Sequence, residues 1–180
     1  MSGAAARMMT VEEFEQLPVN EGLKLELIEG EVFEVASGGP LHETVKSNFI
    51  HILVLYCHAM LATARVTSET RYRLHSTSMP QPDVSLVLAG DLDPERSGKI
   101  QITPDIAVEV VSSESGLHLR KKIRTYLSAG VKAVWVAYPE LGLIDVHTPE
   151  GVRRLESDDI LEDGVLPGFA VPVADFFRGI

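Results

Sequence analysis

Two acidic residues, Asp83 and Glu109, occur where a divalent cation could be bound. Asp83 follows Pro82 at the start of PDVSLVLAG, and Glu109 interrupts the apolar run IAVEVV. An ionised carboxylate is costly to bury alone, and two carboxylates that lie close together repel each other. Mg²⁺ or Mn²⁺, which prefer oxygen ligands, would offset both costs. If the two segments are neighbouring strands, the sequence predicts a metal site at Asp83 and Glu109.

Ordinary structural roles would also explain these two residues. Glu109 would then pair with a lysine or an arginine, or point from a half-exposed face, and Asp83 would cap a turn after its proline. Asp105 also follows a proline at the start of a strand, so this arrangement need not indicate catalysis. The pattern alone leaves both interpretations open.

The segment after Glu109 predicts a helix that carries reactive side chains on one face. His118, Lys122 and Tyr126 are spaced i, i+4, i+8 and therefore lie along one stripe. Because a short loop turns this helix back along the strand, Lys122 can point towards Glu109 and act on a nucleophile or a phosphoryl oxygen. A structural salt bridge and a solvated lysine are the alternatives. Tyr126 is expected to pack in the core with its hydroxyl group satisfied.

The same helix carries a local positive cluster. Arg120, Lys121, Lys122 and Arg124 lie within five residues of an otherwise acidic chain. Such a cluster could contact a phosphate backbone, which suggests Arg120, Lys121 and Arg124 as nucleic-acid contacts. The alternative is the solvated face of a helix.

Composition predicts one globular domain over residues 10–180, preceded by a disordered tail over residues 1–9. The chain has 180 residues, 45% of them apolar, which suffices for one core. The formal net charge of −10 argues against a protein that coats nucleic acid with its whole surface. The single cysteine, Cys57, excludes an internal disulfide and indicates a reducing compartment.

No secretory signal or membrane span is expected, and a cytoplasmic protein is predicted. The N-terminal MSGAAARMM has no apolar region after its arginine. The longest apolar run, residues 49–64, is too short to span a bilayer and is expected to form a buried core helix. Its two histidines, His51 and His58, are expected to be core or surface residues rather than ligands.

Hydrophobic periodicity predicts an α/β sandwich around a mixed sheet. The expected elements are, in order, a helix over 11–17 with a Thr10/Glu13 capping box, a hairpin in LKLELIEGEVFEV, a helix over 42–61, a strand pair in RVTSETRYRL, two central strands in PDVSLVLAG and PDIAVEVVS, a helix capped at 113–115 and stopped by Gly130, strands in VKAVWVAYP and LGLIDVHTP, and a final strand followed by a loop over the sheet edge.

The order and spacing of these segments resemble the Uma2 family, also known as DUF820, within the PD-(D/E)XK nuclease superfamily. The resemblance runs from TVEEFEQLP through QPDVSLV and PDIAVEVVS to LPGFAVPVADFF. It implies a restriction-endonuclease-like mixed sheet flanked by helices, with an N-terminal hairpin extension. It also implies DNA as the partner, Mg²⁺ or Mn²⁺ as the cofactor, and, by analogy with enzymes that cut two strands, a homodimer.

The resemblance assigns roles to individual residues. It implies that Asp83 and Glu109 are the two metal-binding acids of the motif. Val111 stands where the motif has lysine, and Lys122 on the next helix corresponds to the family's substitute. Glu26 matches a recurrent glutamate of the hairpin, which would be a direct or supporting ligand.

Some positions leave room for other interpretations. His42 matches a recurrent histidine at the helix start, although a local hydrogen bond would also explain it. Glu26 could simply face solvent. His118 stands where the family usually has an aspartate, and Val134 precedes Trp135 where the family has a Tyr-Trp pair. The first change removes a carboxylate from beside Lys122, whereas the second is expected to be a packing change.

Three functions follow from these patterns. The first is a metal-dependent endonuclease that cleaves DNA, with Asp83 and Glu109 holding the ion and Lys122 acting on the nucleophile. The second is a catalytically inactive binding or assembly module that keeps the nuclease fold. The third is a metal-dependent hydrolase of another phosphate-containing substrate.

Overall fold

The structure is a computed structural model that describes residues 8–18, 24–35, 38–61, 63–88, 102–112 and 115–180. Its elements are α1 (Val11–Phe14), β1 (Lys24–Ile28), β2 (Glu31–Val35), α2 (Pro40–Met60), β3 (Arg65–Ser68), β4 (Val84–Val87), β5 (Ile106–Val110), α3 (Gly116–Ser128), β6 (Ala133–Tyr138), β7 (Leu143–Thr148), β8 (Gly151–Leu155), β9 (Ile160–Glu162), β10 (Ala170–Pro172) and α4 (Val173–Phe176).

A six-stranded mixed sheet forms the centre, in the order β3-β4-β5-β6-β7-β8. Among the strands that the structure describes, only β5 and β6 pair in parallel, and α3 lies between them in the chain. Alternate residues of β5 face opposite sides, so Val108 packs in the cluster that contains α2, and Ala107 packs in the cluster that contains α3. The predicted mixed sheet flanked by helices is therefore confirmed, with β4 and β5 as neighbours.

The apolar run of residues 49–64 lies largely in α2, whose inner stripe covers the sheet. Val45, Phe49, Leu53 and Cys57 recur every four residues and are all buried. The helix begins at Pro40, two residues before the predicted start, because proline suits the first helical position. No helix among the described residues is both long and apolar enough to cross a membrane.

The N-terminal elements form the predicted extension. The capping box of Thr10 and Glu13 is present, although α1 is shorter than expected. Strands β1 and β2 pair through a two-residue turn in which Glu29 and Gly30 both have positive φ, at 51° and 77°. This geometry is that of a tight hairpin turn whose twist matches its strands. Of the predicted tail, residues 1–7 lie outside the described residues, and the Met9 N–H donates to the Gly30 carbonyl.

The predicted strand pair in RVTSETRYRL is wrong in its second half. Only Arg65–Ser68 forms a strand, which pairs with β4. Glu69 then adopts φ 51°, in the left-handed region, and turns the chain out of the sheet. Tyr72 is nevertheless fully buried, and its hydroxyl group hydrogen-bonds to Ser85. Its burial comes from a loop that packs on the sheet, not from a second strand.

The C-terminal segment is more structured than predicted. Instead of one strand and a loop it supplies β8, the antiparallel pair β9 and β10, and the short helix α4. Phe169 and Phe176 pack in the α2-side cluster together with Trp135. The indole N–H of Trp135 donates to Asp163 Oδ2 at 2.8 Å, so the polar end of this buried ring is satisfied.

Candidate active site

The pairing of β4 with β5 brings the two predicted acids together. Val84 pairs with Val108 in antiparallel register, so the register continued by one residue sets Asp83 opposite Glu109. Cβ atoms of directly opposite residues are about 5 Å apart. Both side chains are buried, with 7% of Asp83 and 1% of Glu109 exposed. The half-exposed interpretation of Glu109 is therefore wrong.

Helix α3 supplies two groups that hold the Glu109 carboxylate. Its N-cap is Ser115, whose hydroxyl group accepts from the His118 N–H, and Gly130 follows the helix with φ 93°, as predicted. The Lys122 ammonium donates to Glu109 Oε2 at 2.7 Å, and the Tyr126 hydroxyl donates to Oε1 at 2.7 Å. Both the catalytic and the structural interpretation predict this ion pair. The predicted roles of Glu109 and Lys122 therefore stay predictions.

The hairpin contributes Glu26, which is fully buried beside Lys122. Its Oε1 accepts from the Gln81 N–H at 2.7 Å and lies 3.1 Å from the Lys122 ammonium. Its Oε2 lies 3.2 Å from His118 Nε2. The interpretation that Glu26 faces solvent is wrong, because the side chain has no exposed surface. Lys122 therefore lies between two carboxylates from different elements.

His118, which stands where the resemblance leads us to expect an aspartate, contacts the same group of residues. Its ring stacks on Phe33 of β2, with ring centroids 4.3 Å apart, and only 4% of the residue is exposed. The histidine thereby contacts the hairpin through both Phe33 and Glu26. Although the family's aspartate is missing beside Lys122, the lysine still faces carboxylates.

His42 and Asp83 together hold the end of β5. The Val110 N–H donates to Asp83 Oδ2 at 2.8 Å. His42 Nδ1 lies 2.9 Å from the Val110 carbonyl oxygen, and its Nε2 lies 3.4 Å from Asp83 Oδ1. The alternative of a local hydrogen bond for His42 is wrong, since its partners lie on β5 and just before β4. The imidazole positions the Asp83 carboxylate at the strand end.

Two acids of the site, Asp83 and Glu26, have pKa values below their ordinary values. Burial alone would raise the pKa of Asp83, but the contact with His42, the charge of Lys122 and the Val110 N–H outweigh it and lower this pKa. Burial likewise opposes ionisation of Glu26, but the Lys122 charge, the contact with His118 and the Gln81 N–H lower its pKa. The site therefore presents negative charge to any bound cation.

The pKa values of His42 and Tyr126 are raised. Burial would lower the pKa of His42, but Asp83 and Glu43 stabilise the imidazolium, so this pKa is raised. In the protonated ring both nitrogens are donors, one to the Val110 carbonyl and the other towards Asp83. Burial, together with the nearby charges of Glu109 and Glu26, raises the pKa of Tyr126 well above its ordinary value. Tyr126 is therefore a hydrogen-bond donor and not a base.

The predicted nucleic-acid contacts fall into two groups. Lys121 pairs with Glu31 at 2.7 Å, and Arg124 makes a bidentate pair with Glu29 at 2.6 and 2.7 Å. Exposed ion pairs contribute little stability, but these two attach the hairpin that carries Glu26 to α3. Arg120 is exposed and forms no ion pair with any described residue.

Lys46 is a buried cation near the site that was not predicted from the sequence. Its ammonium donates to Glu43 at 2.8 Å and to Glu69 at 3.1 Å, and the Glu69 N–H donates to the Asp83 carbonyl. Burial would lower the pKa of Lys46, but the two glutamates raise it. The i, i+4 spacing from His42 was the signal that could have revealed it.

A cleft of about 510 Å³ leads from the surface to His42. It lies between the start of α2 and the residues that follow β5 and β6, including Val111 and Leu141. In open α/β sheets, ligands bind in the crevice beyond the carboxyl ends of parallel strands. The cleft occupies that position for the parallel pair β5 and β6.

The donor set at the site fits a magnesium-type ion held by few protein ligands. Among the described residues, no group of three or more His, Cys, Asp and Glu side chains is arranged to hold a metal. Mg²⁺ is usually bound through one or two carboxylates together with water and substrate phosphate. Asp83 and Glu109, which the strand register sets opposite each other, supply such a pair.

The mixed sheet flanked by helices, with one acid just before β4, one on β5 and a lysine on the following helix, is a nuclease-like fold of the restriction-endonuclease type. A solved structure from Anabaena variabilis, described as "a putative nuclease belonging to DUF820", superposes with a TM-score of 0.81. The match has 22% identity and covers 94% of this chain and 97% of that one. The model of the Uma2 family, described as "Putative restriction endonuclease", matches residues 11–174.

The chain therefore belongs to the Uma2 family, and the resemblance noted in the sequence is confirmed. The superposed structure, at its level of identity, supports the fold alone. No curated protein matches the chain.

Proposed function

We propose that the protein is a metal-dependent endonuclease that hydrolyses phosphodiester bonds of DNA. The observation that carries the proposal is the buried group of Asp83, Glu109 and Lys122, in which two acids from adjacent strands meet an ammonium from the next helix. Membership of a family described as a restriction endonuclease supports the same class of reaction.

Each residue of the site has a role in this proposal. Asp83 and Glu109 hold Mg²⁺ or Mn²⁺, which when bound would stabilise negative charge on the scissile phosphate and acidify water. Lys122 orients the attacking nucleophile and stabilises charge that develops near Glu109. Tyr126 fixes the Glu109 carboxylate by donating to Oε1.

Three further residues position these groups. His42 holds Asp83, and Glu26 holds the Lys122 ammonium in place beside Glu109. His118 orients Glu26 through the contact of its Nε2 with Oε2. Glu26 is itself a candidate supporting ligand because its carboxylate stays ionised.

The DNA contact is proposed to involve the outer face of α3. Arg120 is available for a phosphate, whereas Lys121 and Arg124 would have to share their charge with hairpin glutamates. A net charge of −10 makes such a local contact necessary, because the rest of the surface repels a polyanion. Arg120→Ala is expected to weaken DNA binding and reduce its salt dependence in a fluorescence anisotropy titration.

A homodimer in the cytoplasm completes the proposal, by analogy with enzymes that need two sites to cut two strands. Size-exclusion chromatography with light scattering should give twice the 19.7 kDa mass of one chain. A single-chain mass at working concentration would contradict the dimer.

A cleavage assay with the purified full chain tests the proposed function. We expect linear and supercoiled DNA to be cut in the presence of Mg²⁺ or Mn²⁺, and EDTA to abolish the cutting, because the two acids act through the ion. Single-stranded DNA, RNA and a simple phosphodiester belong in the same assay. Their relative rates separate a DNA nuclease from a hydrolase of another phosphate-containing substrate.

The alternative is a catalytically inactive module that keeps the nuclease fold. The bonds of Lys122 to both Glu109 and Glu26 favour it, because such a buried ion pair can be purely structural. Absence of cleavage of every nucleic acid with either metal, in a folded protein, would support this alternative and contradict the first.

A further inference from the structure

The cleft beyond β5 and β6 differs chemically from a surface that binds a duplex backbone. Its described lining contains no lysine or arginine, and Glu140 is the one carboxylate there. Phosphate contacts are made mainly by cationic side chains and backbone N–H groups. The cleft is therefore poorly suited to the sugar-phosphate backbone of a double helix.

Apolar side chains supply most of the lining. Leu41 stands at the start of α2, Val111 follows β5, and Pro139 and Leu141 follow β6. Leu141 is 68% exposed, so its side chain is accessible at the mouth of the cleft. Apolar side chains of this kind can contact the flat face of a base that has left its stack.

The inner end of the cleft connects it to the acids. His42 lines the cleft and also lies 3.4 Å from Asp83 Oδ1. The volume of about 510 Å³ falls within the range of small-molecule sites. A group seated there is one side chain away from the carboxylate that the proposed function assigns to the metal.

We propose that this cleft binds one unpaired base of a nucleic acid strand, next to the phosphate presented to Asp83 and Glu109. The proposal rests on the proposed nuclease function and gives its substrate class. The preferred substrate is single-stranded DNA, or DNA with an unpaired nucleotide, because a base inside an intact duplex cannot enter the cleft without being unstacked.

Binding, measured without cleavage, tests the inference separately from the nuclease activity. Fluorescence anisotropy in EDTA at fixed salt compares a labelled single strand with its duplex. We expect the single strand to bind about tenfold more tightly, since burying one face of a base against apolar side chains contributes a factor of this order. Leu141→Asp should remove the preference, because it places a charge at the mouth of the cleft.

Val152→Asp is the matched control, because Val152 is equally an exposed apolar residue, at 62%, and does not line the cleft. This variant should keep the preference for the single strand. Equal or tighter binding of the duplex, binding of neither form, or an unchanged preference in Leu141→Asp would each overturn the inference.

The cleavage assay then separates the two proposals. Cutting of duplex DNA without any preference for unpaired sites would leave the nuclease function standing and remove the base-binding role of the cleft. Preferential binding of the single strand without any cutting in Mg²⁺ would leave the base-binding role of the cleft standing and contradict the nuclease function.

Discussion

Replacing Asp83 with asparagine is expected to lower the rate of magnesium-dependent DNA cleavage by about 10³-fold while leaving the fold intact. Holding a catalytic divalent ion is associated with several kcal/mol of transition-state stabilisation, and about 1.4 kcal/mol corresponds to a factor of ten in rate. Asparagine keeps a carbonyl oxygen for the Val110 N–H but loses the negative charge. Single-turnover cleavage at saturating Mg²⁺ measures the effect, and circular dichroism checks the fold.

Asp105 provides the matched control for this experiment. It also follows a proline at a strand entry, and its carboxylate accepts from the Leu88 N–H at 2.8 Å and pairs with Lys132. Asp105 stands before the first residue of β5, whereas Glu109 lies four residues further along, roughly 13 Å away at the rise of a strand. Asp105→Asn should therefore cleave at the wild-type rate. Equal activities of Asp83→Asn and wild type would show that Asp83 does not serve as a ligand.

The elements that position the acids were predictable from local patterns. β4 and β5 are almost wholly apolar, which indicates strands covered on both faces, and helical spacing placed Lys122 on the same stripe as Tyr126. The two acids then meet because consecutive strands tend to be neighbours in a sheet. Because only a short segment separates β5 from α3 in the sequence, the contact between Lys122 and Glu109 was predictable from local geometry.

Contacts between distant segments were not predictable in the same way. Glu26 reaches Lys122 because the hairpin docks on α3, and that docking depends on ion pairs such as Arg124 with Glu29, which no local pattern specifies. His42 likewise bonds to Val110 across 68 positions in the sequence. Alternation along β1 suggested a solvent-facing glutamate, but a strand covered on both faces buries both sets of side chains.

Replacing Lys122 with methionine is expected to destabilise the fold by about 3–5 kcal/mol, the usual cost of leaving a buried charge without its partner. For a chain of this size that corresponds to a fall in Tm on the order of 10 °C. The ammonium lies 2.7 Å from Glu109 and 3.1 Å from Glu26, both almost fully buried, so its loss leaves two carboxylates facing each other. Thermal unfolding followed by circular dichroism measures the change.

Lys121→Met is the control for the loss of a lysine from the same helix. Lys121 pairs with the exposed side chain of Glu31, so its removal should cost less than about 1 kcal/mol. A comparable loss of stability in both variants would show that the buried ion pairs of Lys122 contribute no more to folding stability than the exposed pair of Lys121.

In Lys122→Met, the contribution of Glu26 to the pH dependence of folding stability should have the opposite sign from that in the wild type. In the wild type the pKa of Glu26 in the folded protein lies below its ordinary value of 4.5. Ionised Glu26 therefore stabilises the fold above pH 4.5, and this stabilisation is lost as the pH falls through the folded pKa. Without Lys122, burial dominates and raises this pKa, so the protonated form is favoured and stability is lost as the pH rises. The difference in Tm between variant and wild type should therefore shrink from about pH 8 to about pH 5.

Magnesium should distinguish a metal site from a purely structural salt bridge in the same variant. A ligand that binds only the folded state stabilises it, by about 2.7 kcal/mol at a hundred times its Kd. In Lys122→Met an ion held by Asp83 and Glu109 replaces the missing positive charge, so Mg²⁺ should raise its Tm more than that of the wild type. The double variant Asp83→Asn with Lys122→Met should lose this response, because one of the two ligands is gone. If Mg²⁺ shifts none of the three proteins, the carboxylates and the lysine form an ion pair that serves the fold alone.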